Sequence, residues 1–153
     1  MARETFHIDI DGERITRDKL NIGICTLISL RSTCARAKVG CVIVRTHRVI
    51  ATGYNGKLGD SPCSMVCDKN SKCKHAIHAE KNAINFAARH GIALEGSELF
   101  CTYCPCYECA KDIIQAGIVR VVFEKGYATD NGEGLKLLKD NQIDVTKVCL
   151  IEY

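Results

Sequence analysis

Two short segments of this chain hold side chains that can do chemistry together. His78-Ala79-Glu80 offers an imidazole and a carboxylate, and Pro105-Cys106-Tyr107-Glu108-Cys109 offers two thiols three residues apart. His78, Cys106 and Cys109 make a three-donor set for zinc. Structural zinc sites usually close all four positions with protein ligands, whereas catalytic sites keep the fourth one open. Glu80, left over from the ligand set, is then a group for moving protons. The competing reading is a purely structural zinc ribbon, which leaves Glu80 and Pro105 without a purpose.

These residues need helix starts to hold them. The run from Ile77 to Arg89, with Ala79, Ala83, Ile84, Ala87 and Ala88 as a close-packing face and Gly91 beyond it, predicts a helix. His78 and Glu80 lie roughly 200° apart on an ideal helix, so only a first turn lets both face one centre. Cys106 to Ala116 predicts another helix, opened by Pro105 and closed by Gly117. Cys106 and Cys109 fall on one face of it, and the positive end of the helix favours their thiolate forms.

The rest of the chain reads as a frame for these two helices. Leu20, Ile24, Leu27 and Ile28 mark a helix over 17–31. Val39 to Val44 and Val49 to Tyr54 form a hairpin across a polar Arg45–Arg48 joint. Residues 55–73 show no period. Strands follow at Glu98–Thr102, Ile118–Phe123 and Val145–Ile151, and Leu135–Lys139 lies in a fourth helix. Strands alternating with helices after a hairpin predict a mixed sheet covered by helices, in one domain over 1–153.

Composition narrows the class. The chain has 153 residues, 46% of them hydrophobic and 25% charged, with a net charge of +3. That is an ordinary globular composition and too weakly basic for a nucleic-acid surface. The first 19 residues carry no signal-like apolar core, and no run approaches the roughly 20 residues of a membrane span. The expectation is a cytoplasmic protein with no membrane and no nucleic-acid partner. Eleven cysteines in such a chain point to metal binding rather than disulfides. Cys25, Cys41 and Cys149, set among Ile, Val or Leu, are expected to be buried apolar residues. Cys63, Cys67 and Cys73 lie in the unpatterned 55–73 stretch, where one loop can wrap a second, structural zinc.

The pattern H-x-E…P-C-x-x-C is that of zinc-dependent nucleobase deaminases. The chain further resembles the deoxycytidylate (dCMP) deaminases, particularly phage enzymes and bacterial competence-operon proteins. The resemblance rests on the segments 31–44 (RSTCARAKVGCVIV), Gly53-Tyr-Asn-Gly56, 78–84 (HAEKNAI) and 105–118 (PCYECAKDIIQAGI), in family order. Glu108-Cys109-Ala110-Lys111 separates it from tRNA adenosine deaminases, which usually carry a Met before the last cysteine.

What the resemblance implies is a cytidine-deaminase-like three-layer α/β/α fold with a mixed five-stranded sheet, zinc, and hydrolysis of dCMP to dUMP and ammonia. It also implies a homo-oligomer, in many members a hexamer. Asn55 would contact the nucleotide, or is a simple turn asparagine. Lys38 and Arg36 would meet the 5′-phosphate, or are surface charge. Cys34 would complete the second zinc site, because the phage and competence-type relatives carry cysteine there; His75 is the alternative ligand. Two departures stand out. Lys57-Leu58-Gly59-Asp60 replaces the usual continuation after Gly56, which removes the basis for expecting regulation by dCTP and dTTP. Tyr103-Cys104 differs from commoner pairs before Pro105, which opens the pocket to a 5-substituted dCMP. Outside this reading stand a nucleic-acid-associated cytosine or adenine deaminase and a non-catalytic zinc scaffold.

Overall fold

A computed structural model describes residues 14–60, 63, 73, 75–126 and 131–150. Thr16 starts helix α1 (Arg17–Ser29) by accepting a hydrogen bond from the Lys19 N–H at 3.2 Å, the usual hydroxyl cap. Strands β1 (Gly40–Arg45) and β2 (Arg48–Tyr54) form the expected hairpin. Its two-residue turn, Thr46-His47, has positive φ at both positions (47° and 64°), as a twist-matched hairpin turn requires.

Two-residue strands β3 (Gly56–Lys57) and β4 (Ala76–Ile77) pair antiparallel, with β3 inside the stretch read as unpatterned. Helix α2 therefore starts at Ala79, not Ile77, and runs to Arg89. Then come β5 (Glu98–Tyr103), α3 (Tyr107–Gln115), β6 (Arg120–Lys125), α4 (Glu133–Asp140) and β7 (Asp144–Lys147). The last strand stops four residues short of Ile151, which is outside the described residues. Cys149 follows it and is exposed, correcting the expectation of a buried thiol. Cys25 and Cys41 are fully buried as expected.

The main sheet is mixed and five-stranded, in the order β2-β1-β5-β6-β7. β1 is antiparallel to both neighbours, and β5, β6 and β7 are parallel. Because side chains alternate along a strand, the three central strands β1, β5 and β6 each feed two cores. Val42, Val44, Phe100 and Val122 face Ile22 and Cys25 of α1. Cys41, Ile43, Leu99, Cys101 and Val121 face the other way, against Ala79, Ala83 and Ala87 of α2, Ala110 and Ile113 of α3, and Leu138 of α4. The result is the three-layer α/β/α arrangement.

Contacts this close need missing side chains. A methyl group on Gly53 would collide with the Ala79 carbonyl oxygen and come within 2.6 Å of the Ala83 nitrogen. Gly40 gives α1 the same close approach on the opposite face, against Cys25 and Ser29. Arg120 then ties the far end of the layers together. Its guanidinium meets Asp18 of α1 through two hydrogen bonds (2.7 and 2.9 Å) and Glu98 of β5 at 2.9 Å. The fork geometry suits this task, which a lysine's single ammonium could not match.

Three strand ends meet at one edge. The antiparallel registers Gly40↔Tyr54 and Cys41↔Cys101 bring the start of β1 beside the ends of β2 and β5. The connections leaving that edge hold Val39, Asn55 and Cys104.

Candidate active site

At this sheet edge two helices begin with unusual residues. His78 is the N-cap of α2 and Cys106 the N-cap of α3, both extended (φ −69°, ψ 152° and φ −72°, ψ 170°), and neither side chain caps its own helix. Ordinary caps are Ser, Thr, Asp or Asn, spent on the first N–H groups. Here the backbone carbonyls begin the helices, bonded to Asn82 N–H at 2.9 Å and Ala110 N–H at 2.8 Å. The imidazole and thiol are turned elsewhere.

They are turned toward each other. His78 Nδ1 lies 3.5 Å from Cys106 Sγ and 3.4 Å from Cys109 Sγ. Among the described residues these three form the group whose donor atoms lie within 4.8 Å of one another. Zn–S and Zn–N bonds of ordinary length at a tetrahedral angle separate a sulfur from a nitrogen by roughly 3.6 Å. The spacing and the donor set therefore fit a zinc ion held by His78 Nδ1 and the two sulfurs. Cys109 is buried, Cys106 half-buried and His78 exposed, so the set opens on the pocket side.

Without a metal the three donors share protons. The hydrogen bond from Cys109 lowers Cys106 to about 3, with His78 helping. The same contact raises Cys109, aided by burial. Cys106 raises His78 in turn. The Cys106–Cys109 pair thus shares one proton between its two sulfurs, and that proton is one a metal has to displace.

Glu80 sits in the first turn of α2, 4% exposed. Burial raises its pKa, opposed by its own backbone N–H and by the charge of His78. A carboxyl shifted toward neutrality is suited to taking a proton and giving it back. It lines one pocket with Val39, Asn55, His78, Tyr103, Cys104 and Cys106, so the carboxylate and two of the three donors face one space.

Asn55 is buried at the exit from β2. Its Oδ1 accepts from Val39 N–H at 2.8 Å, and its Nδ2 donates to the Ala37 carbonyl at 2.8 Å. It is more than a turn asparagine, because it clamps the connection into β1 while lining the pocket. Asn82 braces α2 to β2 through the Tyr54 carbonyl at 2.7 Å. Lys81 of α2 and Asp112 of α3 form an ion pair at 3.2 Å without aligned hydrogen-bond geometry. At its exposure such a pair contributes a few tenths of a kcal/mol, on the order of a surface bridge.

Other expected site residues are placed differently. Arg36 and Lys38 are exposed and flank Ala37 and Val39, which do line the pocket. Cys34, Cys63 and Cys73 are half-buried, His75 is exposed, and Cys67 lies outside the described residues. Ser32, quoted only as part of a motif in the sequence, is buried against Asn55. No periodicity or charge pattern marks it.

The proton inventory has a measurable consequence. Zinc should displace at least about one proton per site, from the Cys106–Cys109 pair, because metal ligands bind deprotonated. Competition with a colour-forming chelator should show zinc at this site held less tightly as the pH is lowered from 8 to 6. Retention that does not change with pH would contradict this assignment of protons.

The chain is similar to known proteins over most of its length. The family model described as the cytidine and deoxycytidylate deaminase zinc-binding region matches residues 16–125. ComE operon protein 2 of Bacillus subtilis is 42% identical over 123 residues, covering 76% of this chain and 64% of its own length. The deoxycytidylate deaminase of Saccharomyces cerevisiae is 38% identical over 144 residues, covering 88% of this chain and 46% of its own length. The chain thus spans less than two-thirds of both curated relatives. Among solved structures, the dCMP deaminase of cyanophage S-TIM5 in complex with dCMP and dUMP superposes with a TM-score of 0.73 at 32% identity, over 85% of this chain and 95% of that one.

Proposed function

The chain belongs to the cytidine and deoxycytidylate deaminase zinc-binding family, and from that premise we propose that it hydrolyses dCMP to dUMP and ammonia. The observation that carries the proposal is the buried Glu80 lining the same pocket as His78 and Cys106, which together with Cys109 form the donor set. Support for the substrate comes from relatives that are deoxycytidylate deaminases and from a solved relative that holds dCMP and dUMP.

His78, Cys106 and Cys109 would hold the zinc. When bound, zinc lowers the pKa of water far enough to supply hydroxide at neutral pH. Glu80 does the proton work. It takes one proton from the attacking water and delivers it to the cytosine ring nitrogen, then takes the second from the added hydroxyl and gives it to the departing amino group. The oxygen of water ends as the new carbonyl and the amino group leaves as ammonia, so the reaction balances without a redox partner. The walls of the pocket exclude bulk water from Glu80, which keeps its proton affinity raised. Asn55 meets the nucleotide with its amide. Lys38 and Arg36, exposed on either side of the pocket-lining Ala37, meet the 5′-phosphate.

The same reading includes a second, structural zinc held by Cys34, Cys63, Cys67 and Cys73, with His75 as the alternative ligand. It also includes a single deaminase domain over 1–153, a homo-oligomer, and cytoplasmic work on free nucleotides. Among the described residues no helix is long and apolar enough to cross a membrane. Tyr103 and Cys104 line the pocket and leave a 5-substituted dCMP within the substrate range.

Two measurements test these points. Zinc-replete protein offered dCMP, deoxycytidine, a 5-substituted dCMP and a cytosine-containing single strand should release ammonia from the monophosphates. Turnover confined to the strand or the nucleoside would overturn the substrate assignment while keeping the zinc chemistry. Metal analysis should find about two zinc ions per chain, and about one in Cys67→Ala, since removing a ligand releases a structural metal. An unchanged content in that variant would remove Cys67 from the second site.

A further inference from the structure

An asparagine in a pocket can offer either end of its amide, and here the choice is already made. Asn55 Oδ1 accepts from Val39 N–H at 2.8 Å and from the Ser32 hydroxyl at 2.6 Å. An amide oxygen has two lone pairs, and each faces a donor of the protein. Asn55 Nδ2 gives one hydrogen to the Ala37 carbonyl at 2.8 Å, which leaves one N–H. A backbone N–H can only donate and a backbone C=O can only accept, so the amide cannot be flipped without breaking both contacts. The pocket therefore meets a donor at Asn55.

Ser32 is the remaining part of this lock. It is 8% exposed, and it is not among the residues that line the pocket. Its hydroxyl has a single proton, shared between Asn55 Oδ1 at 2.6 Å and the Asn55 backbone carbonyl at 2.7 Å. Cys34 N–H donates to the same Ser32 oxygen at 3.2 Å, which occupies a lone pair and leaves the proton for Asn55. The Asn55 N–H also bonds the Val39 carbonyl at 3.2 Å. Ser32 thus grips both the backbone and the side chain of one pocket residue from behind.

We infer that Ser32 is a positioning residue that determines how the nucleotide is held. It fixes the Asn55 amide so that its uncommitted N–H meets an acceptor oxygen of the substrate. This rests on the nucleotide-deaminase reading of the same pocket. Without the Ser32 hydroxyl, Oδ1 recovers a lone pair, the amide is free to tilt, and binding weakens. The chemical step at Glu80 is untouched.

The test uses zinc-loaded, full-length protein, with dUMP affinity by calorimetry and steady-state kinetics on dCMP. Ser32→Ala should raise the dUMP dissociation constant and the dCMP KM about tenfold, the size of one lost hydrogen bond, with kcat within about twofold. Ser32→Thr, which keeps the hydroxyl, should restore both. In an Asn55→Ala background the Ser32→Ala change should add less than about twofold, because contacts that act through one residue are not additive.

A folded Ser32→Ala protein with wild-type affinity overturns the inference, as does a full tenfold increment in the Asn55→Ala background. A kcat loss that matches the KM change also overturns it, since that is general damage. If Ser32→Ala does not fold, Ser32→Cys, of similar shape but a weaker donor, carries the same comparison. Wild-type protein that neither binds dUMP nor deaminates dCMP would sink the nucleotide reading itself; wild-type function with an indifferent Ser32→Ala sinks only the positioning role.

Discussion

Helix α2 can bring both His78 and Glu80 to the pocket because it lies directly on β2 at Gly53, where a single methyl group would strike the Ala79 carbonyl. The alanines at 79, 83 and 87 continue that closeness along the helix, and all three are fully buried. With α2 pressed onto the sheet, its first turn is held where the start of β1 and the ends of β2 and β5 meet. Helix α3 arrives at the same place because β5 ends at Tyr103 and the chain needs only Cys104 and Pro105 to reach Cys106. Open sheets commonly place their ligands beyond the carboxyl ends of strands. Here β2 and β5 end at the pocket while antiparallel β1 begins there.

Two helix starts aimed at one point make the local field positive. That field suits a set of donors that must be anionic to bind metal, and it explains why neither helix has a conventional cap. The capping positions are occupied instead by two of the three side chains that could hold a metal. Directly beside them Glu80 is buried, and burial raises its pKa. The same small space thus stabilises thiolate at Cys106 while favouring a proton on Glu80. Hydrogen bonding makes the difference: both groups lose water, but the hydrogen bonds from Cys109 and His78 outweigh that loss at Cys106, whereas burial dominates at Glu80.

Much of this was legible in the residues. The three side chains that cluster as metal-capable donors could be named from identity and spacing alone, and the sheet's alternation appears in the β-branched runs. The α2 start was misplaced by two residues because Ile77 fits an apolar helical face equally well; its pairing with Gly56 is a contact across 21 residues that no local pattern carries. Cys149 sits between Val148 and Leu150, which looks like a strand, yet β7 ends at Lys147 and the thiol is exposed. Asn55 was visible as a pocket candidate or a turn residue. Its clamp on Ala37 and Val39 depends on the hairpin folding back so that residues 16 and 18 positions apart touch. Ser32 was invisible for the same reason: a lone serine has no period, and its partner is 23 residues away.

The account stands on Glu80 carrying the protons beside an intact metal set, and Glu80→Gln separates the two. The variant keeps the size and the hydrogen-bonding capacity of the side chain but cannot take a proton and return it. Zinc content and ammonia release from dCMP should be measured on the same preparation. The account predicts wild-type zinc with turnover reduced at least about a hundredfold, the usual worth of a positioned acid-base group. Turnover near the wild-type rate at full zinc occupancy would contradict it.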